Sequence, residues 1–194
     1  MSKRKSAIRE QAARLFAERG YHATGIGDIC DAVGLGRGAL YHHIGSKEEL
    51  LFEISMLGLD ELFEVSERIA AEPLPASEKL RRLSRVLMRN IAANRAALTV
   101  YFRELDLMSP GYRDRLVARR ARYQDLWQRI LDEGVAAGEL EPVDPVLVKG
   151  LLGMHNHSYL WLREGGRLAP EEVADRFCDV LLDGLRRRAG EGGR

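Results

Sequence analysis

Apolar residues recur at three- and four-residue intervals along almost the whole chain, and no stretch alternates long enough to build a sheet. Ile8, Ala12, Leu15 and Phe16 mark a first helix over Ser2 to Arg19, which Gly20 stops. Ile26, Ile29, Cys30 and Val33 mark a short second one, and Ala39, Leu40 and Ile44 the buried side of a third. Ser46 caps the next helix, with Glu49 three residues on completing a capping box. Its stripe of Leu50, Leu51, Ile54, Leu57, Leu62, Val65 and Ile69 runs to Ala71, about 24 residues and roughly 35 Å at the α-helical rise, enough to join a head rigidly to a separate body. Glu72-Pro73-Leu74-Pro75 then breaks the pattern and is the clearest boundary in the chain. Ser77 is expected to cap a helix bearing Leu80, Leu83, Leu87 and Ile91, and a shorter apolar segment covers Ala96 to Leu107. Ser109-Pro110 opens a long helix with Tyr112, Leu116, Tyr123, Leu126, Trp127, Ile130 and Leu131 on one stripe. Gly134 to Pro145 reads as a loop, and Val146 to Leu162 and Val173 to Leu185 as two last helices. The expected architecture is all-α, about nine helices, with the first three forming an N-terminal head.

The second and third helices meet at Gly34-Leu35-Gly36. Glycine takes the left-handed conformation that a sharp helix exit requires, so the pair reads as a helix-turn-helix. With Ala39, Leu40 and Ile44 facing inward, Arg37, Gly38, Tyr41 and His42 fall on the outer side. Arg reads guanine edges or phosphate, Tyr and His donate to phosphate oxygens, and Gly removes a steric barrier, so this face suits a duplex groove. Arg37 to Ile44 is then the recognition helix. The run Gly34-Leu35-Gly36-Arg37-Gly38 also mimics a phosphate-cradling loop, but it follows a helix where such a loop needs a strand.

At these residues the sequence resembles the TetR family of bacterial transcriptional regulators. The matching pieces are Ala12-Ala13-Arg14-Leu15-Phe16-Ala17-Glu18-Arg19-Gly20-Tyr21, Thr24, Asp28-Ile29, Val33-Gly34-Leu35, Gly38-Ala39-Leu40-Tyr41-His42-His43-Ile44 and Ser46-Lys47-Glu48-Glu49-Leu50-Leu51. The resemblance implies DNA contacts from Thr24, Arg37, Gly38, Tyr41, His42, His43 and Lys47. It also implies a homodimer whose last two helices from each subunit form a four-helix interface, and a body that binds a small effector. Gly25 and Gly36 depart from the family's usual Ser or Thr caps; glycine caps almost as well but brings no hydroxyl to phosphate. Gly27 stands where the family is often basic.

The composition, 194 residues with 45% hydrophobic and 30% charged, is that of a globular protein. A net charge of +1 leaves any nucleic-acid role to local placement. Lys3, Arg4, Lys5 and Arg9 form a short basic arm that either frays in solvent or meets phosphate. Cys30 and Cys178 read as buried thiols in a reducing compartment. No apolar run reaches the length of a membrane span and the start is too polar for a signal peptide, so a cytoplasmic protein at the bacterial nucleoid is expected.

The remaining chemistry is sparse. His155 and His157 are two apart, as His42 and His43 are adjacent, and neither pair converges on a metal from a helix. No nucleophile elbow, paired-carboxylate motif or zinc signature is present, so neither catalysis nor a cofactor is expected. The polar set His155, Asn156, His157, Ser158 and Tyr159 interrupts an apolar helix. These side chains either satisfy one another, within the chain or across a subunit interface, or line a pocket walled by Met88, Tyr101, Phe102, Tyr123, Trp127 and Met154, with His155 and Tyr159 as its polar edge. Trp161 to Ala174 resembles the C-terminal region of family members that respond to acyl-CoA esters in lipid or sterol breakdown, with Arg103 or Arg119 as candidate phosphate partners. The expected organisation is a DNA-binding head over 1–48, an effector-binding and dimerisation body over 49–188 and a flexible tail over 189–194. The expected function is a repressor that binds double-stranded DNA at a palindrome and is released by a small effector. A nucleoid-bound regulator without an effector and a helical enzyme with a DNA-binding appendage are the rival readings.

Overall fold

The computed structural model describes residues 3–163 and 165–185, so Ser2, Glu164 and the expected tail lie outside the described residues. Those residues form α1 (Lys3–Arg19), α2 (Ile26–Val33), α3 (Arg37–His43), α4 (Lys47–Ser55), α5 (Leu59–Ala70), α6 (Ala76–Ala93), α7 (Arg95–Glu104), α8 (Pro110–Ala136), α9 (Val146–His157) and α10 (Pro170–Leu185). Short 3-10 turns follow α7 and α9, at Leu105–Leu107 and Ser158–Leu160. The chain is all-α, as its periodicity predicts.

Two compact units arise, and neither is a single run of sequence. The first comprises the chain up to residue 59 together with 94–119, and the second comprises 60–93 with everything from 120 onward. In the first unit Ile8, Ala12 and Phe16 of α1 meet Ile29, Leu40, Ile44, Leu50, Leu51 and Ile54, all essentially without solvent contact. The same core takes in Ala97, Val100 and Tyr101 of α7 and Leu116 of α8. The packed first unit thus extends well beyond residues 1–48. The continuous helix expected from Ser46 to Ala71 is instead interrupted at Met56–Gly58, where Gly58 turns left-handed with φ of 72°. Ile54 and Leu62, eight residues apart, keep helical spacing across that turn, which is why periodicity alone does not reveal it.

Polar contacts between distant segments fix the helix ends. Ser46 Oγ accepts the Glu49 N–H at 2.9 Å, as expected of a cap. Ser77 does not cap α6; the Glu139 carboxylate does so from beyond α8, accepting the Ala76 and Ser77 N–H groups at 2.8 and 3.0 Å and the Ser77 hydroxyl. Gly134 is helical rather than the start of a loop. A Cβ there would fall 2.7 Å from Leu140 and 2.8 Å from Ala76, so the missing side chain is what lets these residues close over α8. In the second unit, α6 and α10 pack antiparallel, joined by three rungs. Arg81 reaches Asp179 at 2.7 Å, Arg85 grips Asp175 through two nitrogens at 2.7 and 2.9 Å, and Arg89 meets Glu171 at 3.3 Å.

The turn between α2 and α3 separates two kinds of glycine. Gly34 sits at φ 64°, ψ 42°, and its N–H faces the α2 carbonyls of Cys30 and Asp31. Gly36 has an ordinary extended backbone and open space where a Cβ would stand. Gly34→Ala should therefore lower stability by about 1–2 kcal/mol through left-handed strain. Gly36→Ser, which restores a side-chain cap, should change it by only a few tenths of a kcal/mol, in the stabilising direction. Thermal unfolding of the two variants checks this, and equal effects would refute the distinction.

Candidate nucleic-acid interface and ligand-binding body

The helix-turn-helix is held from beneath. Leu40 is fully buried and Ile44 nearly so, while Arg37, Gly38, Tyr41 and His42 are exposed, Tyr41 at 48%. Ala39, expected inward, is exposed as well, so Leu40 is the buried position within α3. A Cβ at Gly38 would meet nothing within 4 Å, so the chain's own packing does not demand glycine there. What the glycine provides is clearance on the outward side. His43 is half-buried, with its ring 5.5 Å from that of His42. Asp28 accepts the Gly25 N–H at 2.6 Å, tying down the entry to α2 in place of a side-chain cap.

Two of the expected contact residues, Thr24 and Lys47, are engaged with the head's own packing. Thr24 has no solvent exposure; its hydroxyl donates to Gly20 O at 2.9 Å, with Leu15 O at 3.4 Å, and so seals the α1–α2 connection. A buried hydroxyl spent on backbone carbonyls has no reach to a phosphate, which corrects the expectation for this residue. Lys47 is half-buried with Nζ 4.3 Å from the centroid of the Tyr21 ring, a cation–π contact. Burial lowers its ammonium pKa, against an opposing pull from Asp28. Burial raises that of the Tyr21 phenol, with Glu48 adding to the effect. Lys47 therefore presents a positioned cation rather than a freely moving one.

α7 braces the same region from far along the chain. Glu104 Oε1 accepts the Tyr21 N–H at 3.3 Å, and Arg103 donates to Ala17 O at 3.0 Å. Arg103, expected as a phosphate partner, is thus engaged with the end of α1. Of the basic arm, Lys5 pairs with Glu53 at 2.5 Å and Arg9 is buried, so Lys3 and Arg4 are its exposed cations.

In the second unit the eight candidate ligand residues divide. Met88, Tyr123, Trp127 and His155 are buried and Tyr159 is half-buried. Met154 faces outward, against its expected place in a pocket wall, and Tyr101 and Phe102 belong to the first unit, their rings 4.9 Å apart. His155 is the centre of a polar knot. Its Nδ1 lies 2.8 Å from Leu151 O, a pure acceptor, so this nitrogen carries the proton and Nε2 accepts from Ser84 Oγ at 2.6 Å. Ala174 O, at 3.2 Å, is the alternative acceptor for the same serine proton. The knot thus spans α6, α9 and α10, and His155 finds its partners outside the polar set, in Ser84 and the Leu151 carbonyl. Ser84 escaped the sequence reading, although a small hydroxyl one residue after Leu83 on the apolar face of α6 was its available signal.

The outer face of α9 and α10 is a groove of about 400 Å³ lined by Leu147, Gly150, Leu151, Met154, Val180, Leu181, Gly184 and Leu185. Val180 in its lining is 76% exposed, and Val146, at the start of α9, is 65% exposed. Leu181 is mostly buried, and Val180 carries the outward apolar surface of α10. Cys30 and Cys178 are free, buried thiols. Among the described residues no helix is long and apolar enough to cross a membrane, and no three His, Cys, Asp or Glu side chains gather as metal ligands.

Comparison with known proteins is consistent along the whole chain. Residues 8–54 match the family model of bacterial regulatory proteins of the tetR family, and residues 73–185 match that of a tetracyclin repressor-like C-terminal domain. The chain is 33% identical over 187 residues to the HTH-type transcriptional repressor KstR2 of Rhodococcus jostii, covering 95% of this chain and 92% of the relative. It is similar in structure to the ketosteroid transcriptional regulator KstR2 of Mycobacterium tuberculosis, with a TM-score of 0.87, 29% identity and 97% of each chain covered. It also resembles AibR, solved in complex with isovaleryl coenzyme A and operator DNA, with a TM-score of 0.76, 30% identity and 95% and 98% of the chains covered.

Burial gives His155 a measurable signature. Desolvation pushes its pKa from the ordinary 6.5 down to about 4, with the Leu151 carbonyl opposing. The folded state therefore binds fewer protons than the unfolded state between these values. Stability is complete above about pH 6.5 and should fall by up to about 3 kcal/mol as pH approaches 4. Unfolding free energy measured against pH should lose this part of its slope in His155→Gln, and an unchanged slope would assign it to other groups.

Proposed function

Since the chain belongs to the TetR family of transcriptional regulators, we propose that it is a ligand-responsive repressor that binds a palindromic operator as a homodimer. The exposed face of α3 is the observation that carries this reading: Arg37, Gly38, Tyr41 and His42 are outward, and the helix is anchored by Leu40 and Ile44 alone. Arg37 reads a base edge, Tyr41, His42 and His43 contact phosphate, and Lys47 adds a positioned charge at the rim. Functionally the chain divides into a reading head over 1–48 and an effector-binding and dimerisation body over 49–188, and it works on DNA in the cytoplasm. Two heads related by a two-fold axis enter successive major grooves about 34 Å apart.

The apolar groove between α9 and α10, with Val146 and Val180 uncovered, supports those helices as the dimer surface. An acyl-CoA effector is supported by the likeness to AibR, whose complex contains isovaleryl coenzyme A, and a lipid or sterol context by the likeness to a ketosteroid regulator. The effector weakens operator binding by preferring a geometry in which the two heads no longer match the groove spacing.

Footprinting of the purified protein on upstream DNA of neighbouring genes should protect a palindrome. Arg37→Ala should cost about 1–3 kcal/mol on that site and far less on random DNA; equal loss on both would reassign Arg37 to backbone contact. Val180→Asp should yield a monomer in analytical ultracentrifugation while the helical content is kept, and a persistent dimer would place the interface elsewhere.

A further inference from the structure

Lys47 sits in a slot with two walls, and one remote stretch of chain fastens both. The first wall is the Tyr21 ring, 4.3 Å from Nζ, with the Phe16 ring centroid 5.9 Å from the same atom. Tyr21 lies in the α1–α2 connection, and its backbone N–H is held by Glu104 Oε1 at 3.3 Å. The second wall is the opening turn of α4, of which Lys47 is the first residue. There the neighbouring Glu48 accepts the Ser109 N–H at 2.6 Å. The Ser109 N–H, joined by its hydroxyl, holds the Glu48 carboxyl below the usual carboxylate range, so the bond is charge-assisted. Glu104 and Ser109 flank the 3-10 turn Leu105–Leu107, and that turn is firmly seated in the first unit. Met108 is 4% exposed in the core, the Tyr112 ring stacks on Phe52 of α4 at 4.8 Å, and the Arg115 guanidinium lies 4.6 Å from the same Phe52 ring.

We infer that Glu48 and Glu104 are positioning residues for DNA binding: through the α4 N-terminus and through Tyr21 they fix where the Lys47 ammonium meets a phosphate. This rests on the DNA-binding reading above and adds the turn between α7 and α8 to the apparatus that grips the duplex. A freely moving lysine loses rotamer freedom when it settles on a phosphate, whereas one already held over an aromatic ring has less to lose. That advantage lasts only while the ring and the helix end keep their places. Each of the two carboxylates bonds a backbone N–H, so each ties one stretch of main chain to another, and its loss frees the wall attached to it. Neither can help by touching DNA, since a carboxylate repels phosphate and Glu104 is buried. By charge alone, removing either would tighten binding to a duplex. Positioning predicts the opposite sign once the charge is accounted for.

The test titrates the full chain with the footprinted operator and with a random-sequence duplex over a series of salt concentrations. The proteins are the wild type, Lys47→Ala, and Glu48→Ala, Glu48→Gln, Glu104→Ala and Glu104→Gln, each alone and combined with Lys47→Ala. Gln keeps an accepting oxygen and lacks the charge, as Ala does, so each Ala and Gln pair reads the hydrogen bond alone. Lys47→Ala should flatten the dependence of log affinity on log salt by about 0.9, the share of one phosphate. Glu48→Ala and Glu104→Ala should flatten it part of the way and bind about threefold or more weakly than their Gln counterparts, and that gap should close in the Lys47→Ala background. A gap of equal size with and without Lys47, a weaker affinity with the full salt slope kept, or equal binding by Ala and Gln would each overturn the inference and leave the carboxylates as general supports of the head. Should buried Glu104→Ala fail to fold, as circular dichroism would show, the half-buried Glu48 pair decides alone. If Lys47→Ala changes neither affinity nor slope, the inference falls while the α3 reading still stands on Arg37. If the wild type binds neither duplex, both fall.

Discussion

Everything the head can do depends on two apolar anchors. A helix of seven residues has no stability of its own in water, because nucleation uses up most of what so few hydrogen bonds return. α3 exists because Leu40 and Ile44 are sunk into a core built by Ile8, Phe16, Ile29, Leu50 and Ile54. With those two positions fixed, the rotation of the helix is fixed, and Arg37, Gly38, Tyr41 and His42 are presented as a set. The supports around them serve the same end. Thr24 closes the connection beneath α2, Gly34 sets its exit, and the Tyr21 ring holds Lys47 at the edge.

The second unit obeys a different constraint, the burial of polar groups. Its helices α6, α9 and α10 meet through a neutral histidine, a serine and two backbone carbonyls, while their outer edges carry the arginine rungs. Exposed ion pairs of this kind contribute little each, and their value here is register rather than strength. A small hydroxyl at a core position, such as Ser66 or Ser84, is worth more attention than the aromatic stripe around it, because the stripe would be buried in any helical bundle.

The helix-turn-helix was legible in the sequence because its signals are local: a left-handed glycine, one cap and a period of 3.6. The all-α class followed from the same periodicity. What could not be read were the arrangements that depend on contacts between remote segments. Glu139 caps α6 from sixty residues away in the chain, roughly, and no local pattern announces it. Thr24 looked like a contact residue because its place in the motif was right, whereas its hydroxyl is turned to the Gly20 and Leu15 carbonyls. Met154 and Trp127 carry similar hydrophobicity and opposite exposure, since the orientation of α9 is set by Leu151 and His155 packing inward. The turn at Gly58 was invisible for a further reason, that apolar spacing persists through it.

The way α7 completes the first unit bears on how such regulators can be recombined. Ala97, Val100, Tyr101, Met108 and Leu116 fill the hydrophobic interior beneath α1 and α4, Glu104 fastens the loop before α2 and Arg103 the end of α1. Grafting residues 1–48 onto a foreign sensor would cut through that interior and leave half of it unmatched. A transplantable module must carry the 94–119 segment as well, or borrow a host whose equivalent helix offers the same side chains.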